Sequence, residues 1–452
     1  MKKYTDRFPS TRPYVPCTPL FSSQTDSPSD FLERCLADVR AHEPEVGAFV
    51  HIEMESAQTQ AAASTARWRT GKPLSPIDGM PVGIKDVIET ADMPTGMGSP
   101  LFTGWRSGHD SASVKALREA GAVILGKTVT TEFAATVPGG TRNPLDLSRT
   151  PGGSSSGSAA GVAAGFFSAG LGTQVVGSII RPASYCGCVG FKPTFGAVNR
   201  GGSLDHMSQS SQGVLAASLE DAWSVLREIV DRCGGDPGHQ GLVGPASLPA
   251  AKTPRSLIFL ETPGWATASV AARAAFESIR KKLEREGIAI ATRHTDRRVA
   301  DFEIALEQAL PLTRQINAWE SRWPLNTYRD RGKGLSDSML ARLKEAEGLT
   351  LDGNRKALAE RARIREVYAG FAEAFDAVVT LSAADVAPVG LQSTGDPAFA
   401  LPSSFLGVPS LSLPLMQIDN LPLGLQLIGF AHQDAQLMAH AGAIQAIHTS
   451  AQ

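Results

Sequence analysis

The chain has 452 residues, with 43 Lys or Arg and 45 Asp or Glu, so its formal charge at pH 7 is −2. A chain of this length buries most of its unfolded surface and needs neither disulfides nor metals to hold its core. Because there is no basic excess to release counterions from a polyanion, we expect no nucleic-acid partner. The five cysteines include no C-x-x-C pair, which indicates a reducing compartment, and we predict a cytoplasmic protein.

Two segments are candidates for membrane targeting. The amino terminus carries positive charge, but no apolar run follows it, so a signal peptide is not expected. Residues 159–180 are long enough to span a bilayer, yet they consist mostly of Ala and Gly with polar residues near their centre. We interpret them as a buried helix followed by a tight loop, and we expect no membrane partner.

Helical and strand patterns alternate along the first part of the chain. Amphipathic spacing predicts helices and short apolar runs predict strands. In chain order these are helix 29–40, strand 46–52, helix 55–69, strand 80–88, helix 111–120 and strand 122–125. This alternation is typical of an α/β sheet with buried strands.

The second part of the chain is mainly helical until strands return near its end. The patterns there are helix 266–286, strand 288–292, further helices over 303–375, and strands at 377–380, 410–415 and 423–430. No linker divides the chain, so we predict one α/β domain over residues 1–452. Its parts are a helical region at about 25–75, a core at about 76–240, a helical insertion at about 265–375, and terminal strands with a helix at about 376–450.

Several common catalytic motifs are absent from the sequence. There is no phosphate-binding glycine loop and no H-E-x-x-H, so we predict neither a cofactor nor a metal. The G-x-S-x-G pattern centred on Ser155 would form a nucleophile elbow only after an apolar strand, and Asp146 to Pro151 do not form one. A hydrolase elbow at Ser155 is therefore not expected.

Three longer stretches carry a more specific pattern. They are MPVGIKD ending at Asp86, PGGSSSGSAAG from Pro151 to Gly161, and GTQVVGSIIRPASYCGCVGFKPTFG from Gly172 to Gly196. With these stretches the chain resembles the amidase signature family over nearly its whole length, and SIIRPASYCG is similar to its malonamidase-like branch. The resemblance implies a large mixed sheet flanked by helices on both faces.

The resemblance also implies a catalytic triad of Ser178 as nucleophile, Ser154 as bridging serine after a cis peptide bond, and Lys85 as base. A serine hydroxyl is a weak nucleophile that needs a base within hydrogen-bond reach. A lysine can serve if it is neutral, and burial among apolar neighbours lowers its pKa. Lys85 would take a proton from Ser154, which takes one from Ser178. The alternative for Lys85 is an ion pair with Asp86.

The positions that match the family's oxyanion hole are the backbone N–H groups of Val175, Val176, Gly177 and Ser178. The usual pattern has two glycines before the serine, whereas this chain has Val176 and Gly177. A valine does not readily adopt a positive φ, so we expect this loop to differ from the usual one or to be strained. A weakly active or non-catalytic binding homologue is therefore an open alternative.

Arg181 follows the proposed nucleophile by three residues. It could bind a substrate carboxylate in bidentate geometry, or it could pair with an internal acid. We expect an amidohydrolase that cleaves the C–N bond of a small carboxamide through an acyl-serine and releases ammonia or an amine. The alternative within the family is the amidase-type subunit of a tRNA-dependent amidotransferase. A homodimer is compatible with the sequence, which does not specify the oligomeric state.

Overall fold

The computed structural model describes residues 11–330 and 334–450, and one sheet of eleven strands runs through this part of the chain. The strands are β1 Phe49–Ile52, β2 Pro81–Lys85, β3 Val123–Thr128, β4 Ala169–Gln174, β5 Val189–Lys192, β6 Ser211–Ala216, β7 Ser256–Phe259, β8 Ala289–Ala291, β9 Ala377–Leu381, β10 Ser410–Ile418 and β11 Leu421–Ile428. Their spatial order is β1-β3-β2-β4-β6-β5-β10-β11-β9-β7-β8.

The sheet is mixed. β2 pairs in parallel with both β3 and β4, and β7 pairs in parallel with β8 and β9, while the other neighbours are antiparallel. Parallel pairs need crossover connections, and helices supply them here. The predicted α/β class with a large mixed sheet is confirmed. The division of the chain into four parts remains a prediction.

Fourteen α-helices surround the sheet in the described residues. They are α1 Thr18–Ser22, α2 Pro28–Val46, α3 Met54–Arg69, α4 Ala112–Glu119, α5 Ser156–Ala163, α6 Ile180–Cys186, α7 Leu219–Cys233, α8 Val270–Arg285, α9 Arg297–Leu306, α10 Ala309–Asp330, α11 Asp337–Glu347, α12 Leu351–Ala369, α13 Leu401–Leu406 and α14 Asp434–Thr449. Helices cover both faces: β3 places Ile124 in the apolar cluster that contains α4 and α7, and Leu125 in the cluster that contains α2, α3 and α5.

The structure differs from the prediction at residues 159–180. α5 ends at Ala163, and the chain continues into the interior strand β4 instead of a tight loop. Glycine in a strand weakens the strand signal and marks a close approach. A Cβ at Gly170 would lie 2.9 Å from Ser158 Cβ, and one at Gly172 would lie 2.8 Å from Ser155 Oγ. These glycines let α5 pack tightly on β4. They also explain why the sequence pattern did not predict a strand here.

The sequence patterns also miss β5, β6 and β7, which are short and, in β5 and β6, interrupted by glycine. None of the helices in the described ranges combines the length and the apolar character that a bilayer crossing requires.

Candidate active site

Lys85 is the last residue of β2, and all five residues of that strand are buried. Its Nζ atom lies 2.7 Å from Ser154 Oγ and 2.8 Å from Thr173 Oγ1. Thr173 belongs to β4, the parallel neighbour of β2, so the pairing of these strands places the Thr173 hydroxyl beside the Lys85 amine. The contact between Lys85 and Ser154 brings two of the three predicted catalytic side chains together.

Burial lowers the pKa of Lys85 from 10.5 to about 7, and the nearby carboxylate of Asp205 partly opposes this shift. Desolvation disfavours the ammonium form, so a large neutral fraction is present near neutral pH. The alternative of an ion pair with Asp86 does not fit the geometry, because Asp86 Oδ1 lies 3.4 Å from Lys127 Nζ. Within the described ranges, Lys85 has no ion-pair partner at all.

Ser154 lies in the loop that leads into α5, and only 1% of its surface is exposed. The peptide bond between Gly153 and Ser154 is cis. Arg181 Nη2 donates to the Gly153 carbonyl at 2.7 Å and to Thr394 Oγ1 at 2.9 Å. Arg181 therefore ties the segment that contains Ser178 to the loop that contains Ser154.

Ser178 is half-buried in the turn between β4 and α6. Gln174 fixes the far side of this turn, because its Oε1 accepts hydrogen bonds from the N–H groups of Ile179 at 2.9 Å and Ile180 at 3.0 Å. Among residues 11–330 and 334–450, Ser178 Oγ has no hydrogen-bond partner. The structure therefore does not link Ser178 Oγ to Ser154 Oγ by a hydrogen bond.

The backbone of residues 175–178 has an asymmetric hydrogen-bond pattern. The three consecutive carbonyls of residues 175–177 all accept hydrogen bonds, whereas the N–H groups of residues 176–178 donate none to any described residue. The donors to these carbonyls are Gln209 Nε2 at 2.8 Å, Ser404 Oγ at 3.4 Å and the Arg181 N–H at 3.1 Å. Three neighbouring unpaired N–H groups are the donors that a developing oxyanion needs.

Val176 occupies the position where the family usually has glycine. It is not among the described residues with positive φ, so its backbone carries none of the strain that a β-branched residue has there. Its half-buried side chain packs against the apolar cluster that includes Leu401 and Phe405. This loop therefore differs from the glycine pattern without being strained at Val176.

The Arg181 side chain is 5% exposed, and no carboxylate of the described residues lies within 4.0 Å of its guanidinium. Its Nε has no hydrogen-bond partner there either. Burial lowers the pKa of Arg181, and Tyr185 and Asp396 oppose that shift. The alternative of an internal acid partner therefore lacks a contact, and the guanidinium retains donor capacity for an anion.

A cavity of about 110 Å³ lies beside the end of β2. Its walls are mainly apolar and include Val87 and Phe133, and Asp205, Glu320 and Arg342 add charge. None of Lys85, Ser154, Ser178 and Arg181 is among the described residues that line it, so its volume is not a measure of the substrate site.

Sequence reasoning missed five residues that hold this site: Thr173, Gln174, Gln209, Thr394 and Ser404. Thr173 and Gln174 lie inside the motif from Gly172 to Gly196, which gives their positions but not their contacts. Gln209, Thr394 and Ser404 lie 34, 213 and 228 residues from the groups that they bind. Only the fold brings them to the loop.

Comparison with known proteins identifies relatives over nearly the whole chain. Residues 30–438 match the Amidase family. The chain is 34% identical to the A subunit of Glutamyl-tRNA(Gln) amidotransferase from Chloroflexus aggregans, covering 92% of each chain. It is also 34% identical to the corresponding protein of Nitratidesulfovibrio vulgaris, covering 90% of each.

Solved structures give the same result for the fold. A protein described as an amidase matches with a TM-score of 0.83 and 26% identity, over 96% of this chain and 99% of that one. The peptide amidase from Stenotrophomonas maltophilia matches with a TM-score of 0.77 and 26% identity, over 96% of both chains.

The prediction of no nucleic-acid partner is wrong. It is contradicted by the curated relatives, which are subunits of an enzyme that is named for tRNA. The physical reason lies in what net charge measures: it reports the nonspecific attraction of one chain to a polyanion. It carries no information about a subunit of a larger assembly in which other chains can contact the nucleic acid.

Proposed function

Because the chain belongs to the amidase signature family and is thus a hydrolase of amide C–N bonds, we propose that it cleaves a small carboxamide through an acyl-serine at Ser178. Lys85 is the base and Ser154 is the bridging serine. The observation that carries this proposal is the 2.7 Å contact between Lys85 Nζ and Ser154 Oγ, deep in the protein. The bond from Arg181 to the Gly153 carbonyl supports the third member, since it joins the two serine segments.

The proposed reaction has two halves. Neutral Lys85 accepts the Ser154 proton, and Ser154 accepts the Ser178 proton as Ser178 Oγ bonds to the amide carbon. The N–H groups of residues 176–178 stabilise the resulting oxyanion. The protons then return along the same path to the leaving nitrogen, which must be protonated to depart. In the second half, water attacks the acyl-serine by the same relay and releases the acid.

One observation supports a substrate that carries a carboxylate. The buried Arg181 guanidinium has no acidic partner in the described residues, and arginine binds carboxylates with paired hydrogen bonds. An acyl chain with a nearby carboxylate fits this feature.

A second candidate assigns the same chemistry to a different task. The 34% identity to the amidotransferase protein of Chloroflexus aggregans, over 92% of both chains, favours an amidase subunit of a tRNA-dependent amidotransferase more than a free-standing hydrolase. Glutamine, a small carboxamide with a carboxylate, would then be the ammonia donor. The ammonia would displace phosphate from the carboxyl group of an acylated tRNA, after partner subunits activate that group with a nucleoside triphosphate.

The experiment is ammonia release from a panel of amides: glutamine, other carboxylate-bearing amides, and neutral aliphatic and aromatic amides. A hydrolase releases ammonia from its amide with the purified chain alone. An amidotransferase subunit hydrolyses glutamine only when partner subunits and charged tRNA are added. A binding homologue releases no ammonia under either condition, and that result would overturn the proposal.

The five free cysteines support a cytoplasmic location for either enzyme.

A further inference from the structure

Gln209 lies in the loop before β6, and its side chain is 1% exposed. Its Nε2 donates to the Val175 carbonyl at 2.8 Å and lies 3.3 Å from Thr313 Oγ1 of α10. The amide nitrogen of Gln209 therefore contacts both α10 and the loop that precedes Ser178. Neither contact involves a residue of the proposed triad.

The geometry of the peptide bond relates the direction of the Val175 carbonyl to that of the Val176 N–H group. In a planar trans peptide, the carbonyl and the following N–H point in opposite directions. The peptide bond between Val175 and Val176 is trans. A Val175 carbonyl that points at Gln209 therefore turns the Val176 N–H to the opposite side.

Ser404 acts in the same way on the next peptide. Its hydroxyl accepts from Gln174 Nε2 at 3.0 Å and donates to the Val176 carbonyl at 3.4 Å. The Gly177 N–H therefore points away from Ser404. Two side chains that are distant in sequence thus set the directions of two successive N–H groups. Neither N–H group has a hydrogen-bond partner in the described residues.

We propose that Gln209 and Ser404 are positioning residues of the oxyanion hole. They bind the carbonyls of two peptides and thereby aim the Val176 and Gly177 N–H groups at the developing oxyanion. This inference rests on the proposed acyl-serine chemistry. Neither residue touches the substrate in this proposal. Their loss should therefore reduce the stabilisation of the transition state and leave substrate binding nearly unchanged.

The test uses Gln209→Met, which keeps the side-chain length and removes the donor. Gln212→Met is the matched control, because Gln212 is also 1% exposed and its amide has no hydrogen-bond partner in the described residues. Three quantities are measured: kcat and KM for the best amide of the panel, inhibition by the product acid, and inhibition by a trifluoromethyl ketone with the same acyl chain. The ketone forms a tetrahedral adduct with a serine, whereas the acid does not.

We expect Gln209→Met to lower kcat by about 10- to 100-fold, less than the 10²–10³ lost when a hole donor is removed outright. The ketone should bind more weakly by a similar factor, while KM and product inhibition stay within about twofold. Gln212→Met should stay near wild type. Ser404→Ala, whose contact is longer, should show the same pattern several-fold smaller, and it carries the test if Gln209→Met does not fold.

Equal effects of Gln209→Met and Gln212→Met, or a KM that rises as much as kcat falls, would show a merely structural role and overturn the inference. A wild-type chain that releases no ammonia and binds no ketone would instead overturn the proposed function, and the inference with it. The wild-type measurement therefore separates the two failures.

Discussion

Asp86 forms its ion pair with Lys127, whose Nζ lies 3.4 Å from Asp86 Oδ1, and not with Lys85, which precedes it in the sequence. Lys127 Nζ also donates to the Ile88 carbonyl at 2.8 Å and to Thr95 Oγ1 at 2.6 Å. This pairing leaves Lys85 without a counter-ion among the described residues, although both lysines are fully buried. Burial lowers the pKa of both lysines, but that of Lys127, which has a carboxylate partner, falls to about 8, whereas that of Lys85 falls to about 7.

The first prediction concerns the pH dependence of kcat/KM. The base must be neutral to accept a proton, and burial lowers the pKa of Lys85 to about 7. Activity should therefore rise with pH through about 7 and level off above it, with about one-tenth of the maximum at pH 6. Rates measured between pH 5.5 and 9 check this. An acid limb near pH 10, the range of an ordinary lysine, would contradict it.

The second prediction compares the stability of two lysine variants. Lys127→Met leaves the buried Asp86 carboxylate without its partner, which should lower the free energy of unfolding by about 3–5 kcal/mol. Lys85→Met removes a group without a counter-ion but takes a hydrogen-bond partner from the buried hydroxyls of Ser154 and Thr173, so it should cost about 1–3 kcal/mol while abolishing activity. Urea unfolding at pH 7.5 measures both. Similar losses for the two variants would mean that Lys85 is also a structural cation.

The third prediction separates two neighbouring buried serines. Ser154→Ala should lower kcat at least about 10³-fold, because the relay from Ser178 to Lys85 is broken. Ser155→Ala removes only a 3.4 Å contact to the Thr173 carbonyl and should change kcat a few-fold at most. The variants control for each other, since both delete one buried hydroxyl. A larger effect at Ser155 would favour the G-x-S-x-G elbow that the sequence context argues against.

The fourth prediction concerns Arg181 as a carboxylate-binding residue. Arg181→Met should lower kcat/KM for a carboxylate-bearing amide by about 10- to 100-fold more than for a neutral amide of the same size, given the usual strength of charge-assisted hydrogen bonds. Any loss shared by both substrates measures the bond to the Gly153 carbonyl. Equal losses for the two substrates would leave Arg181 with the structural role alone.

The sequence predicted those parts of the site that lie within continuous motifs. The resemblance to the amidase signature family, which those motifs carry, implied that Lys85 acts with Ser154, and the structure places the two side chains in buried contact. The strand β4 could not be predicted, because Gly170 and Gly172 suppress the strand pattern for the sake of close packing against α5.

The support of the oxyanion loop lies beyond the reach of local patterns. Gln209 and Ser404 are ordinary polar residues in their own segments, and their roles arise only when α10 and α13 pack beside the loop. Net charge failed for a related reason: it describes one chain and carries no information about other chains with which that chain could assemble.

The central claim is tested most directly by trapping the covalent intermediate. The enzyme is mixed with its best amide, quenched in acid at early times and digested, and the peptides are analysed by mass spectrometry. We predict an acyl group on the peptide that contains Ser178, mapped to its Oγ, and no acylated peptide from Ser178→Ala. Acylation of a different residue, or undiminished ammonia release by Ser178→Ala, would contradict the account.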